Sequence, residues 1–476
     1  MLKKSIIITS IAAAFFAQAQ DISVIKNSVD VYSNTPMIGS SRFNAMAGSN
    51  GALGGDASAL LTNPAGIGVA IAGDVSGTLS IISNKNTSTL GGNSTSYKVN
   101  NADLGTANGL IAFKLPTESA WKFVNLAVNI STQSVENYVE SPGNTNVVIA
   151  KDLVDNAGNN LVGNLSYMGH AYDRYGNQSK FNFGVGANYN NSIYLGASLN
   201  FHTVDLEQHD VAKLGLDLDN SVTTFDKQFS PFQEQSNGFS ANVGIIGKVS
   251  NQVRLGASIE TPTWWSMDRI YTDYYDGSDG IYYDNFSETR NFRSPMKATF
   301  SGAYVPTKNF AINVDYTLGL TKPKYEIEGP AETELNSFFN DSSKSLSEIR
   351  VGAEYRISAF RIRGGYAHAS SPFDAMTISS YSNAGLAGDN NYSNLILGSR
   401  NTIGVGIGYD FGKLYIDAAY QNVSSEYKNP FLAGYAGDNY TTGYYSGDFD
   451  VTTPYHVVSD VKNIKNNLFL TVGFKF

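Results

Sequence analysis

Four arginines and a glutamate recur at short spacing in one stretch of this 476-residue chain: Arg350, Glu354 and Arg356, then Arg361 and Arg363. In alternating strands the first three share one face, and the last two lie opposite on the next strand. Lys413 and Asp417 follow further on. A guanidinium held away from bulk water can fix a carboxylate by a bidentate hydrogen bond. Arg350, Arg356, Arg361 and Arg363 are therefore candidate ligand-binding groups. An equally physical reading is a salt-bridge network that braces a wall or anchors another segment. Catalytic groupings are absent. The histidines, His170, His202, His209, His368 and His456, are scattered. Ser198 and His202 share a strand face, but two steps of two residues hold them beyond hydrogen-bonding reach. No G-x-S-x-G or H-E-x-x-H pattern occurs. Asp273, Asp276, Asp279 and Asp284 surround Gly277 and Gly280 without the full EF-hand spacing, so a solvated acidic loop is expected rather than a calcium site. Neither an enzyme nor a cofactor is expected.

Composition bounds what can position such groups. Charged residues are 16% and aromatics 12%, with 29 Tyr and 46 Gly. That mix is unusual for a soluble enzyme and suits a tyrosine-rich β-barrel. With no cysteine there is no disulfide framework and no thiolate metal site. The formal charge of −9 argues against a nucleic-acid partner. Residues 1–19 read as a signal peptide: Lys3 and Lys4, an apolar run from Ile6 to Phe16, then Ala17-Gln18-Ala19, with the mature chain starting at Gln20. Beyond it no stretch approaches the roughly 20 apolar residues of a membrane helix. An exported chain of this kind enters a membrane as a barrel.

From Asp74 onward the dominant pattern is period two. Ile193, Leu195, Ala197, Leu199 and Phe201 share one face, with Tyr194, Gly196, Ser198, Asn200 and His202 on the other. The alternation predicts about fourteen strands, over 74–83, 104–115, 122–132, 180–190, 192–203, 236–249, 252–263, 294–306, 309–320, 346–357, 360–369, 401–411, 413–425 and 464–476. Connections alternate between short turns and long polar stretches, as in outer-membrane barrels with short periplasmic turns and long outer loops. Both ends of the barrel then face the periplasm. The last strand alternates and ends on Phe476. The fold class is all-β, a transmembrane antiparallel barrel. Its inferred inward face is rich in glycine (Gly184, Gly186, Gly196, Gly244, Gly256, Gly352, Gly365, Gly404, Gly406, Gly408), which leaves room inside or relieves strand curvature. Among the outer connections, Val147, Val148, Ile149, Leu153, Leu161 and Leu165 suggest a partly amphipathic helical loop. Trp264, Trp265, Tyr271, Tyr274 and Tyr275 lie on another. Trp264, Trp265 and Leu153 are candidates for an apolar access groove.

Ahead of the barrel, residues 20–73 show no sustained alternation. Within them 45–68 is small and glycine-rich, ending in Asn63-Pro64-Ala65-Gly66. It suits a segment packed inside a cavity, or an ordinary loop followed by a short helix. Gly54-Gly55-Asp56-Ala57-Ser58-Ala59 followed by Asn63-Pro64-Ala65-Gly66 resembles the N-terminal hatch of the FadL-type long-chain fatty acid transporters of Gram-negative outer membranes. The resemblance implies a signal peptide (1–19), a hatch (20–73) plugging the lumen, and a barrel (74–476). It implies passive uptake of long-chain fatty acids or other hydrophobic compounds, from a groove among the outer loops to a lumenal pocket, with movement of the hatch opening the route. It also implies a kinked strand with a lateral gap to the bilayer, placed by position in the third strand near 129–133. Asn63, Pro64, Ala65, Gly66 and Asp56 carry over as hatch and gating residues. Expected partners are hydrophobic small molecules, outer-membrane lipid and lipopolysaccharide, and the barrel-assembly machinery, with the protein a monomer. The alternative is a structural or adhesive surface barrel that binds external molecules through its outer loops; a general diffusion porin comes third.

Overall fold

Alternating residues form strands, and here the strands close on themselves. The computed structural model describes residues 18–154, 160–218, 221–228, 231–277, 280–431, 435–436, 451–452 and 455–476. The signal-peptide reading falls on residues 1–17, outside the described residues, and on the two that follow. Fourteen antiparallel strands make the barrel. They are β1 (Asp74–Leu90), β2 (Asn93–Lys114), β3 (Trp121–Ser134), β4 (Asn160–Tyr189), β5 (Ile193–Leu218), β6 (Phe232–Lys248), β7 (Val253–Glu260), β8 (Lys297–Thr307), β9 (Phe310–Gly319), β10 (Ser347–Ile357), β11 (Phe360–Ala369), β12 (Arg400–Asp410), β13 (Leu414–Phe431) and β14 (His456–Lys475). β14 returns to β1, with Asp74 opposite Lys475. Gly73 and Phe476 exchange backbone hydrogen bonds of 3.0 and 3.1 Å just below that pair. The ring leaves no strand edge unpaired at the closure, which a bilayer-spanning sheet requires.

Each barrel strand coincides with an expected one at its periplasmic end. Several run much further outward. β4 has 30 residues where 180–190 was expected. The long connections are largely hairpins: Asn137–Val154 pairs with outer β4, and Trp264–Gly277 with Gly280–Arg293. The expected helical loop around 147–165 is therefore corrected. Val147, Val148 and Ile149 lie on a strand, and Leu153 pairs with Leu161. Three consecutive β-branched residues favour the pleated conformation.

The outward extension was hidden because the apolar phase inverts partway along a strand. In lower β5 the apolar side chains Leu195, Leu199 and Phe201 point outward and are exposed. In upper β5 Val204, Leu206, Ala212 and Leu214 are buried inside. The switch falls at Thr203–Val204. β13 and β14 repeat it. Ile416 and Tyr420 face out below while Tyr427 and Phe431 are buried above, and Leu468, Leu470 and Val472 face out below while Val457 and Val461 are buried above. A single pleat keeps its faces, so the environment must exchange. The pattern is the one a bilayer would impose, with lipid over the outside below the switch and water above it. Aromatic residues flank the apolar band. Trp121 packs on Tyr189 at 5.1 Å and Tyr409 on Phe411 at 4.5 Å near the periplasmic end; Phe201, Phe239 and Trp264 form a row at the outer end.

Among the described residues no helix is long and apolar enough to cross a membrane. At 129–133 the two sides of β3 differ: Asn129 to Gln133 pair continuously with Asn182 to Gln178, whereas the ladder to β2 ends at Ser131, opposite Thr106. Register shifts lie between Thr78 and Leu79 on β1, where Gly105 is skipped, between Trp121 and Phe123, between Tyr167 and Gly169 on β4, and between Tyr304 and Thr307 on β8.

Candidate functional site

The lumen holds residues 18–73 of the same chain. Helix α1 (Gln18–Asp30) lies among the outer extensions. A short helix α2 (Ser41–Ala45) and two 3-10 turns, Ala57–Leu61 and Pro64–Val69, follow at membrane depth. The turns start where the sequence supplies caps. Asp56 Oδ1 accepts from the Ser58 N–H at 3.0 Å, and Asn63 Oδ1 from the Ala65 N–H at 3.1 Å. Pro64 fits the first turn, where its missing N–H has no partner to lose. Gly54 adopts φ +60°, and a side chain there would strike the backbone of Gly66. Asn63, Pro64, Ala65, Gly66 and Asp56 thus form one compact knot.

The inward glycines are the seats of this segment. A Cβ on Gly196 would overlap Pro64 and Ala65, one on Gly244 would overlap Asn63, and one on Gly365 would overlap Met46. On Gly352 it would lie 2.8 Å from Met46 Cβ, and on Gly404 2.6 Å from Ala45 O. Gly184, Gly186, Gly256 and Gly406 meet Leu60, Ile67, Gly51 and Ala45 in the same way. Gly408 differs: it faces Asp417 and Arg363 on the wall.

Polar wall residues hold the segment's backbone. Asp315, fully buried on β9, accepts the N–H groups of Asn50 (2.9 Å) and Gly51 (3.1 Å). Its neighbour Asn313 accepts from Ala52 at 3.2 Å and donates to Ser49 at 2.8 Å. Asn125 donates to the carbonyls of Ile67 and Ala70, both at 2.8 Å. Sequence reasoning passed over these residues. The signal was inward-phase Asn and Asp on strands where glycine makes room for a foreign backbone.

The arginine group separates into three places. Glu354 is the hub of one network: Arg363 Nε donates to it at 2.7 Å, Arg356 lies at 2.6 Å, and Arg42 of the N-terminal segment at 3.3 Å. Arg42 also binds Asp56 at 2.8 Å. Arg363 Nη1 stands 2.9 Å from Asp417 Oδ1, an ion pair off the hydrogen-bond line. Arg361 pairs with Asp410, which Lys475 also reaches at 2.7 Å. Arg356 and Arg361 border a periplasmic cavity of about 670 Å³. Arg350 sits higher, donates to Thr317 at 2.6 Å, and borders a central cavity of about 80 Å³.

In the outer half, Val24, Ile25, Val29 and Tyr32 pack on Leu206, Phe232, Trp265 and Phe292. The two tryptophans point to opposite sides of their strand, yet both border one groove of about 450 Å³, with Phe201, Phe239 and Phe292. Trp265 points inward and meets Tyr32 edge-on at 4.9 Å, while Trp264 points outward, 42% exposed. Leu153 lies on a separate hairpin. Ser198 donates to Asn200 at 3.4 Å, and His202 faces Ser240 at 3.2 Å, so the two are not paired.

Polar contacts fix α1 on several sides: Ser23 to Asp210 at 2.6 Å, and Arg174 to both Asn27 and Asp30 at 2.6 Å. Burial alone would raise the Asp30 carboxyl, but the charge and hydrogen bond of Arg174 hold it at about 2. Burial pulls Lys26 down from 10.5 to about 8, helped by Arg174 and opposed by Asp30 and Asp210. A base with a lowered folded pKa costs stability while both states carry the proton, below pH 8. The cost fades between pH 8 and 10.5. At about 1.36 kcal/mol per pH unit the penalty is on the order of 3 kcal/mol at neutral pH. Lys26→Met is therefore expected to raise the unfolding temperature of the purified protein at pH 7 and to raise it less at pH 9.5, as calorimetry would show.

No family model matches the chain, and no curated protein matches it in sequence. Solved structures do share its architecture. A Pseudomonas aeruginosa FadL homologue superposes with a TM-score of 0.52 at 11% identity, over 93% of this chain and 99% of that one. The Pseudomonas putida toluene transporter TodX gives 0.53 at 11% identity, over 94% and 100%. The fold defined by the closed barrel is thus the FadL-type barrel, in agreement with the resemblance in the N-terminal motif.

Proposed function

We propose that this chain is a Gram-negative outer-membrane transporter for passive uptake of long-chain fatty acids or other hydrophobic compounds, gated by residues 20–73 acting as a hatch. One observation carries the reading. A barrel with a lipid-facing apolar exterior has its own N-terminal segment seated through the lumen, on inward glycines and polar wall residues at membrane depth and on apolar packing above. Such a barrel passes only what movement of that segment admits. Apolar solutes suit it, because the contact between α1 and the outer wall that such movement would open is apolar, around Tyr32 and Trp265. Two barrels of the same fold support the class of compound: one is a FadL homologue and the other a toluene transporter. In this reading Asn63, Pro64, Ala65, Gly66 and Asp56 form the rigid knot of the hatch. Surrounding lipid and lipopolysaccharide contact the aromatic rows, the assembly machinery reads the strand ending in Phe476, and the barrel works as a monomer without catalysis.

The test is direct binding of a labelled long-chain fatty acid, and of toluene, to the detergent-purified barrel beside a variant lacking 20–68. Saturable binding that changes on deletion is expected. Failure of both forms to bind any of several lipophiles would sink the proposal and turn attention to the outer hairpins as an adhesive surface.

A further inference from the structure

The connection between β9 and β10 carries a helix, α3 (Pro330–Ser342). Pro330 suits its first turn, and Glu332 suits the positive end of its dipole. Glu332, Leu335, Asn336 and Phe339 are buried. Their spacing of three, four and seven residues is that of one helix face turned to the core. Leu335 and Phe339 enter the same apolar cluster as Val24, Ile25 and Val29 of α1, together with Phe292 and Tyr325.

Two separate chains of polar contact join these helices. The first runs through one residue, the fully buried Tyr325. Asn336 of α3 clamps its backbone: Oδ1 accepts the Tyr325 N–H at 2.8 Å, and Nδ2 donates to the Tyr325 carbonyl at 2.9 Å. The phenol of Tyr325 meets Ser28 Oγ of α1 at 2.7 Å. Ser28 has a single hydroxyl proton, which goes to the Val24 carbonyl at 2.7 Å, so Tyr325 donates to Ser28. The backbone of Tyr325 is thus held by α3, and its side chain holds α1.

The second chain alternates in charge. Tyr32, just beyond α1, donates to Glu234. Arg269 donates to Glu234 at 2.7 Å and lies 3.4 Å from Glu288. Arg290 stands 2.9 Å from Glu288 and 3.2 Å from Glu332 in the first turn of α3. Glu234 and Arg269 are buried. Breaking a buried link leaves a polar or charged group without its partner, so releasing one helix alone is unfavourable.

We propose that α3 is an outer lid coupled to the hatch: docked, it holds α1 in its seat, and displaced from outside, it loosens α1. The inference rests on the reading of residues 20–73 as a hatch and adds the place where an external contact is felt. Such coupling is reciprocal, so whatever loosens α1 must also loosen α3.

The experiment is amide hydrogen exchange on the full chain in detergent, comparing the parent with Asn336→Ala and Ser28→Ala. Each variant is first checked for the heat-modifiable mobility of a folded barrel. Asn336→Ala alters α3 and should speed exchange about tenfold over 18–30 as well as over 330–342, the scale of one buried hydrogen bond left unmade. Ser28→Ala alters α1 and should speed exchange over 330–342 by a similar factor. Either variant decides the matter if the other misfolds, because each is read in the helix it does not alter. Tyr325→Phe, which keeps the ring and loses only the phenol, serves if neither folds and should speed both stretches. Faster exchange confined to the altered helix, or to one helix in Tyr325→Phe, overturns the lid while the transport reading stands. Coupled exchange in a barrel that binds no lipophile supports the coupling and overturns the transport reading instead.

Discussion

Replacing Gly196 by leucine is expected to unseat the N-terminal segment and open the barrel to ions. Gly196 lies near the start of β5 with Pro64 and Ala65 packed directly against it, so even a methyl would overlap their backbone. Forcing extra methylenes into a well-packed site costs about 1–3 kcal/mol where flexible side chains can yield. Here the neighbours are backbone atoms of a proline-capped turn, with Asn63 tied to Gly51 at 3.0 Å and to the wall at Ile245 at 3.2 Å. They cannot shift independently. A loss of about 3 kcal/mol raises the unseated population roughly a hundredfold. Planar-bilayer recording should then show frequent openings in the variant and few in the parent. Gly247→Leu is the matched control, since a Cβ there meets nothing within 4 Å. An intact barrel carrying Gly196→Leu with parental conductance would mean that the seat does not hold the segment closed.

The same packing shows what was legible beforehand and what was not. The lower strands were readable because lipid outside and a narrow, crowded lumen inside impose strict alternation, as on Ile193 to His202. The glycine-rich inward face was readable too, and nine of its ten positions prove to be seats. The outer halves of β4, β5, β13 and β14 were not, because their apolar phase inverts at the lipid boundary and a period-two count reads inversion as an end. Asp315 and Asn313 were hidden for another reason. Their partners are backbone N–H groups 260 or more residues away in sequence, and backbone donors carry no residue signature. The arginines were visible as a group, but sequence alone left open whether carboxylates of the wall or of a ligand would face them. The deciding residue was Arg42, in a segment with no strand pattern to place it.

Glu354→Ala should give the largest loss at the periplasmic end, and two further substitutions should separate its two roles. Glu354 is buried and receives Arg363 from the next strand and Arg42 from the N-terminal segment. Arg356, nearly half exposed, adds little. Removing one partner of a buried pair costs about 3–5 kcal/mol, chiefly because the other charge is left without compensation. Glu354→Ala should therefore lower the temperature at which the barrel unfolds and also release Arg42, making the chain cleavable by trypsin there. Arg363 also faces the buried Asp417 at 2.9 Å, so Glu354→Ala with Arg363→Met and Asp417→Asn removes the wall charges together, and apolar replacement of buried pairs is often neutral or better. That triple variant should recover barrel stability. It cannot restore the tie to Arg42, so trypsin sensitivity at Arg42 should persist. Recovery of both properties would show that Glu354 only braces the wall and that Asp56 suffices to hold Arg42. Recovery of stability alone would establish the pair as the latch between wall and segment, the contact that any opening motion at this end must break.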